Sequence, residues 1–177
     1  MDKDIKDLKV LIDSSELNNR IKGLAQEINE HYGYNEQLTL VCVLRGAVMF
    51  CTELAKHLKM PLKMEFVSLS SYGDSQKSSG QVKSINLSLP NLENQNVLIV
   101  EDIVDTGLTL DFLIKFIKHN CKAKYVKFAV LFDKKCARKF DISPDFTAFD
   151  IDDKFIVGFG LDYCGLYRNL DYVGYFP

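Results

Sequence analysis

The run LTLVCVL, Leu38 to Leu44, is apolar at nearly every position and rich in β-branched residues. A strand-length run without polar alternation predicts a strand covered on both faces, as in a parallel sheet. NVLIVED, Asn96 to Asp102, is the strongest strand signal in the chain, and YVKFAVLF, Tyr125 to Phe132, reads the same way. Further strands are predicted over Lys63–Ser70 and Val82–Leu87, with short β-runs at FTAFD and FIVGFG. Between them the period changes to that of a helix. Leu17, Ile21, Leu24, Ala25 and Ile28 share one face of a helix from Ser15, its expected cap, to about Tyr32. Val48, Cys51, Leu54, Ala55 and Leu58 mark a second helix closed by Pro61. Leu110, Leu113, Ile114 and Ile117 mark a third, starting near Leu108.

Strands alternating with helices predict an α/β domain with a central, mostly parallel sheet flanked by helices. The C-terminal third reads as extra β structure packed on or beside that sheet. No repeat, low-complexity tract or linker divides the chain, so residues 1–177 are expected to form one domain. Ser70 to Gln81, SSYGDSQKSSGQ, is polar and without apolar period. Such a stretch inside a domain is characteristic of a functional lid or a disordered segment.

With 177 residues, 47% of them apolar, the chain needs no disulfide or structural metal to hold a core, since a domain of this size buries about 70% of its unfolded surface. Twenty-two basic residues against 24 acidic ones give a net charge of −2, which argues against a protein built to grip nucleic-acid backbone. The five cysteines are scattered, form no CxxC pair and have no histidine at zinc spacing, so they read as reduced thiols. The opening MDKDIKDLKV lacks the apolar core of a signal peptide, and no apolar run approaches the ~20 residues of a membrane span. A cytoplasmic setting without membrane contact is expected.

The candidate chemistry lies where NVLIVED ends on Glu101 and Asp102, because ligands of open parallel sheets sit beyond the carboxyl ends of strands. Asp105, Thr106, Gly107, Leu108 and Thr109 follow and lead into a helix, where free backbone N–H groups and hydroxyls can cradle an anion. The GxxxxGK[ST] pattern of a Walker loop is absent. Carboxylates repel phosphate, so the acids should face hydroxyl groups or a cation. A ribose 5-phosphate matches both halves. The simpler reading, that the acids are solvated and Asp105 or Thr106 merely caps the helix, explains the acids but not the DTGLT run attached to them.

VLIVEDIVDTGLTL resembles the phosphoribosyl-diphosphate signature of the type I phosphoribosyltransferases. VLRGAVMF (Val43–Phe50), the Ser71-Tyr72 pair, LFDK (Leu131–Lys134) and PDFTAFDIDDKFIVGFGLDYCGLYRNL (Pro144–Leu170) follow that family in the same order, from about Leu38 onward. DKFIVGFGLDY with Tyr167-Arg168 resembles its bacterial hypoxanthine-guanine branch. The resemblance implies the type I fold, with a small hood formed by about 1–15 and 144–177. It implies transfer of phosphoribosyl from phosphoribosyl diphosphate to hypoxanthine or guanine, giving IMP or GMP and pyrophosphate.

Residue by residue, the resemblance implies Glu101 and Asp102 on the ribose hydroxyls. Asp105, Thr106, Gly107 and Thr109 would surround the 5-phosphate, with Leu108 contributing backbone. Asp105 would also be the general base at purine N7. Arg45, Gly46 and Arg168 would meet pyrophosphate, with a non-proline cis peptide in the Leu44-Arg45-Gly46 loop. Lys134 would donate to the 6-oxo group, Phe155 would stack on the purine, and Ile156 and Asp162 would border it. Asp162, with Glu101 and Asp102, would serve Mg²⁺, while Ser71 and Tyr72 would open the lid. A homodimer or homotetramer is implied. On their own terms, Lys134 and Arg168 read as surface residues and Phe155 as part of a buried strand. Asp152 stands where the family commonly has proline, and the chain stops at Pro177 without the longer tail of some relatives. Two other readings stay open: a regulator on the same fold that binds RNA or DNA, and a transferase preferring xanthine.

Overall fold

The fold is described from a computed structural model, for residues 5–71, 82–87 and 89–177, with the backbone alone described at 70, 71 and 82–86. The chain runs β1 (Lys9–Ile12), α1 (Ser14–Tyr32), β2 (Leu38–Leu44), α2 (Val48–His57), β3 (Leu62–Ser71), β4 (Val82–Asn86) and β5 (Asn96–Val104). It continues through α3 (Leu108–Asn120), β6 (Tyr125–Asp133), β7 (Phe146–Asp150), β8 (Ile156–Val157) and β9 (Val173–Tyr175). Helix α1 begins one residue earlier than the sequence predicts, because Asp13, not Ser15, caps it: its Oδ1 accepts from the Glu16 N–H at 2.9 Å.

Six strands form one sheet in the order β4-β3-β2-β5-β6-β7. Strands β3, β2, β5, β6 and β7 run parallel, and β4 pairs antiparallel to β3 with Val82 opposite Ser71. Alternation along β2 explains its apolar run. Leu38, Leu40 and Cys42 enter a core under α1 and α2, whereas Val41 and Val43 enter a second core under α3. Both faces are covered, which favours apolar residues; the polar exception, Thr39, is fully buried and donates its hydroxyl to Gln95 Oε1 at 2.7 Å.

The C-terminal third divides between two sheets. FTAFD is not part of the hood: β7 completes the main sheet, pairing in parallel with β6. The hood is the antiparallel sheet β1-β9-β8, in which the N-terminal KVLI segment pairs with the C-terminal VGY. FIVGFG supplies only two strand residues, because Gly158, Phe159 and Gly160 all take positive φ and turn the chain away from the ladder.

Candidate active site

Chain order reverses between β2 and β5: from β2 the chain crosses to β3 on one side, then returns to place β5 on the other. At such a switch point the loops leaving the two strands diverge and open a crevice. The loop after β2 carries Arg45 and Gly46, and its Leu44–Arg45 peptide is cis, as the resemblance implies. Gly46 is buried against the end of β5. A β-carbon there would lie 1.6 Å from Asp102 Oδ2. A β-carbon on Gly160 would in turn lie 2.0 Å from the Gly46 carbonyl oxygen, so three segments meet with no room for side chains.

The third of these segments positions Arg168 and Asp162. Arg168 Nη1 donates to the Gly160 carbonyl at 2.6 Å, and its Nη2 pairs with Asp162 Oδ1. Asp162 Oδ2 accepts from the Gly165 N–H at 2.7 Å. Arg168 is therefore a fixed, partly buried cation rather than the solvated side chain its isolated sequence suggests. Its charge also reaches Asp102 and favours the ionised form of that carboxyl.

Glu101 and Asp102 form a strained electrostatic pair. Burial drives the Glu101 carboxyl well above the usual carboxylate range, and the adjacent Asp102 charge drives it further. Glu101 Oε2 is buried and has no hydrogen-bond partner among the described residues. Burial raises Asp102 as well, against the opposing influence of Glu101, the Ile103 N–H at 2.8 Å and Arg168. Both carboxyls are therefore harder to ionise than ordinary acids, Glu101 foremost. The acids are half-buried rather than freely solvated, and a buried carboxyl oxygen without a donor is a costly arrangement unless a ligand completes it. Asp162 does not converge with them: among the described residues no three acidic, histidine or cysteine side chains gather around one point.

Asp105, Thr106, Gly107 and Thr109 line a cavity of about 100 Å³ that also includes Glu101. Gly107 takes φ 87° at the start of α3, and no side chain caps the helix there in the usual way. Thr106 Oγ1 approaches the Leu108 N–H at 3.3 Å, and Asp105 does not cap. The first-turn N–H groups of a helix have no partner within it, so this end presents donors to the cavity.

Sequence reasoning missed what stands behind this loop. The N–H groups of Lys139 and Phe140 donate to the Thr106 carbonyl at 3.0 and 3.1 Å, and Arg138 Nε donates to the Asp105 carbonyl at 3.3 Å. Arg138 also pairs with buried Asp133 and donates to the Ile142 carbonyl. A usable signal existed: Asp133 ends an apolar strand as Glu101 and Asp102 do, and a buried acid requires a cation nearby.

On the purine side, Lys134 Nζ lies 2.5 Å from Asp153 Oδ1, and the Lys134 side chain is only 15% exposed. Asp153 raises its pKa, and Asp105 adds to the effect, so the lysine and the loop acid share one neighbourhood. Phe155 is 58% exposed, contrary to a buried-strand reading, while Ile156 beside it is core. Tyr163 meets Phe155 edge-on at 6.1 Å, and Phe176 packs on Tyr163 at 5.6 Å. The sequence pattern singles out neither Asp153 nor Tyr163 for such a role. Of the lid pair, Ser71 ends β3, and Tyr72 with the stretch to Gln81 lies outside the described residues. Two larger hollows, 610 and 600 Å³, contain none of the acidic pair, the loop or Phe155, although the first is lined by Asp133 and Asp153 and so borders the purine side. Convergent chemistry, not size, locates the site.

The model of the phosphoribosyl transferase domain matches residues 13–164. The hypoxanthine-guanine phosphoribosyltransferase of Streptococcus thermophilus (strain CNRZ 1066) is 45% identical over 174 residues, covering 98% of this chain and 94% of that one. That of Bacillus subtilis (strain 168) is 43% identical over 166 residues, covering 94% and 91%. The crystal structure of a hypoxanthine phosphoribosyltransferase from Staphylococcus aureus superposes with a TM-score of 0.91 at 35% identity, covering 97% of this chain and 93% of that one.

Proposed function

The chain belongs to the phosphoribosyltransferase family, in its hypoxanthine-guanine branch, and from that premise we propose that it is a purine-salvage enzyme. It moves the phosphoribosyl group of phosphoribosyl diphosphate onto hypoxanthine or guanine, forming IMP or GMP and releasing pyrophosphate. One observation carries the reading: Glu101, whose carboxyl oxygen has no partner among the described residues, lines the same small cavity as Asp105, Thr106, Gly107 and Thr109 of the donor-rich loop. Hydroxyl groups and a phosphate are wanted a few ångströms apart, as on a ribose 5-phosphate.

Ribose hydroxyls donate to Glu101 and Asp102, and the 5-phosphate accepts from Thr106, Gly107, Thr109 and the Leu108 backbone. Arg45, Gly46 and Arg168 receive pyrophosphate, with the guanidinium offering two donors to its oxygens. The purine stacks on Phe155 beside Ile156 and Asp162, and its 6-oxo group accepts from Lys134. An amino group there would set donor against donor, which disfavours adenine. A ring nitrogen bonds to C1 as the C1–O bond to pyrophosphate breaks, and Asp105 takes the purine proton. Water competes for such a carbon, so we assign Ser71, Tyr72 and the polar stretch to a closing lid.

Mg²⁺ would find hard oxygen ligands at two separate places: at Glu101 with neighbouring Asp102, and at Asp162, whose oxygens Arg168 and Gly165 already hold. Held there with the diphosphate, Mg²⁺ would supply charge neutralisation for the leaving group. The remaining ligands would come from substrate and water.

Five unpaired cysteines support a reducing, cytoplasmic setting, and no described helix is long and apolar enough to cross a membrane. Exposed Met64 and Phe66 on β3 support a homodimer or homotetramer, which sedimentation would test.

The deciding experiment compares hypoxanthine, guanine, xanthine and adenine as acceptors of phosphoribosyl. Hypoxanthine and guanine should react and adenine should not; transfer to adenine alone, or to none, would overturn the reading. D105N should lower turnover strongly while phosphoribosyl diphosphate still binds, and near-normal turnover would remove Asp105 as the base.

A further inference from the structure

Arg138 lies outside every contact assigned above to substrate, yet its guanidinium makes three separate engagements. It pairs with Asp133, whose residue is 3% exposed, and donates to the carbonyls of Ile142 and of Asp105, 33 residues away in sequence. The next two residues donate their N–H groups to the Thr106 carbonyl. Phe140, Ile142 and Arg138 also wall in Gly107, where a β-carbon would lie 2.6 Å from Ile142 Cγ2. Every carbonyl from Asp105 to Gly107 is thereby turned away from the cavity: two accept from this segment, and that of Gly107 accepts from Asp111 inside the helix. A loop whose carbonyls point backward presents its N–H groups forward, as an anion requires.

We propose that Arg138 is a positioning residue that sets the geometry of the 5-phosphate loop from the buried Asp133 carboxylate, and so governs affinity for phosphoribosyl diphosphate. The inference rests on the reading that Asp105–Thr109 seats that phosphate. A planar fork with five donors can hold one carboxylate and two carbonyls at once, whereas an ammonium on a flexible stem holds them poorly. Lysine should therefore keep the charge and lose the geometry.

The test is R138K, with steady-state kinetics in both substrates and direct binding of ribose 5-phosphate. The KM for phosphoribosyl diphosphate should rise about tenfold or more, with a parallel loss of ribose 5-phosphate affinity, because small misplacements of a binding loop are costly. The KM for hypoxanthine should stay within about twofold. In R138A, millimolar guanidinium should restore the phosphoribosyl diphosphate KM, which a merely structural role would not allow. If R138K does not fold, D133N is read in the same way, since it frees the fork from its anchor. Unchanged KM for phosphoribosyl diphosphate in a folded variant, or equal rises for both substrates, would overturn the inference. Wild-type protein that neither transfers phosphoribosyl nor binds ribose 5-phosphate would instead overturn the functional reading beneath it.

Discussion

Gly46 and Asp102 are packed so closely that the space a β-carbon would fill on one is occupied by the carboxylate of the other, 1.6 Å from its ideal position. The contact joins the loops leaving β2 and β5 at the point where chain order reverses. Because the obstructing atom is the end of a side chain, G46A can be accommodated by rotating Asp102 away. The protein should fold with a melting temperature within a few degrees of wild type, and lose about tenfold to a hundredfold in kcat/KM for phosphoribosyl diphosphate. Calorimetry and steady-state kinetics on the same sample check both halves.

Lys134 offers a pH test. Asp153 raises its pKa, so the ammonium stays charged to higher pH than an unpaired lysine would. Any stability or binding gained from that charge is present at neutral pH and is lost as pH rises through the raised value. D153N removes the partner, and the alkaline arm of the pH profile for hypoxanthine should move to lower pH. Asp153 is exposed, so the shift should shrink as salt is added. An alkaline arm that does not move would remove Asp153 from this role.

Glu101 acts on stability in the same sense, from a different cause. Its raised folded pKa means that the native state binds a proton more tightly than the unfolded chain, so stability falls as pH rises from the ordinary glutamate range through the raised value. E101Q cannot ionise. In metal-free buffer it should match wild type near pH 4 and exceed it at pH 8 by on the order of 1–3 kcal/mol, the cost of a poorly satisfied buried polar group. Transferase activity should fall at the same time. Denaturant melts across pH separate the two effects.

Phe155 is more than half exposed, so it contributes little to the core. F155A should leave the melting temperature nearly unchanged while raising the KM for hypoxanthine about tenfold, in line with roughly 1–3 kcal/mol for stacking a base on an aromatic ring. The KM for phosphoribosyl diphosphate should not follow it.

The strands and helices were readable because each depends on a local pattern. Leu38–Leu44 is doubly apolar and lies between two cores; Leu110, Leu113 and Ile117 recur at helical spacing and are buried. FTAFD shows the limit of that information. Its residues specify a strand but not which sheet accepts it, and pairing with β6 assigned it to the main sheet rather than the hood.

The acidic strand end and its DTGLT run identified the chemistry for the same local reason, since consecutive residues fold into a consecutive strand, turn and helix start. Asp153 on Lys134, Asp102 against Gly46, and Arg138 on the Asp105 carbonyl obey no spacing rule. Those contacts arise only when β2, β5, β6 and β7 lie side by side and bring the loops at their ends within reach. The chain alone therefore dictates which groups are available, because pattern is a short-range property. Assembly of the sheet decides which groups are buried, paired or exposed, because burial and charge pairing depend on neighbours distant in sequence.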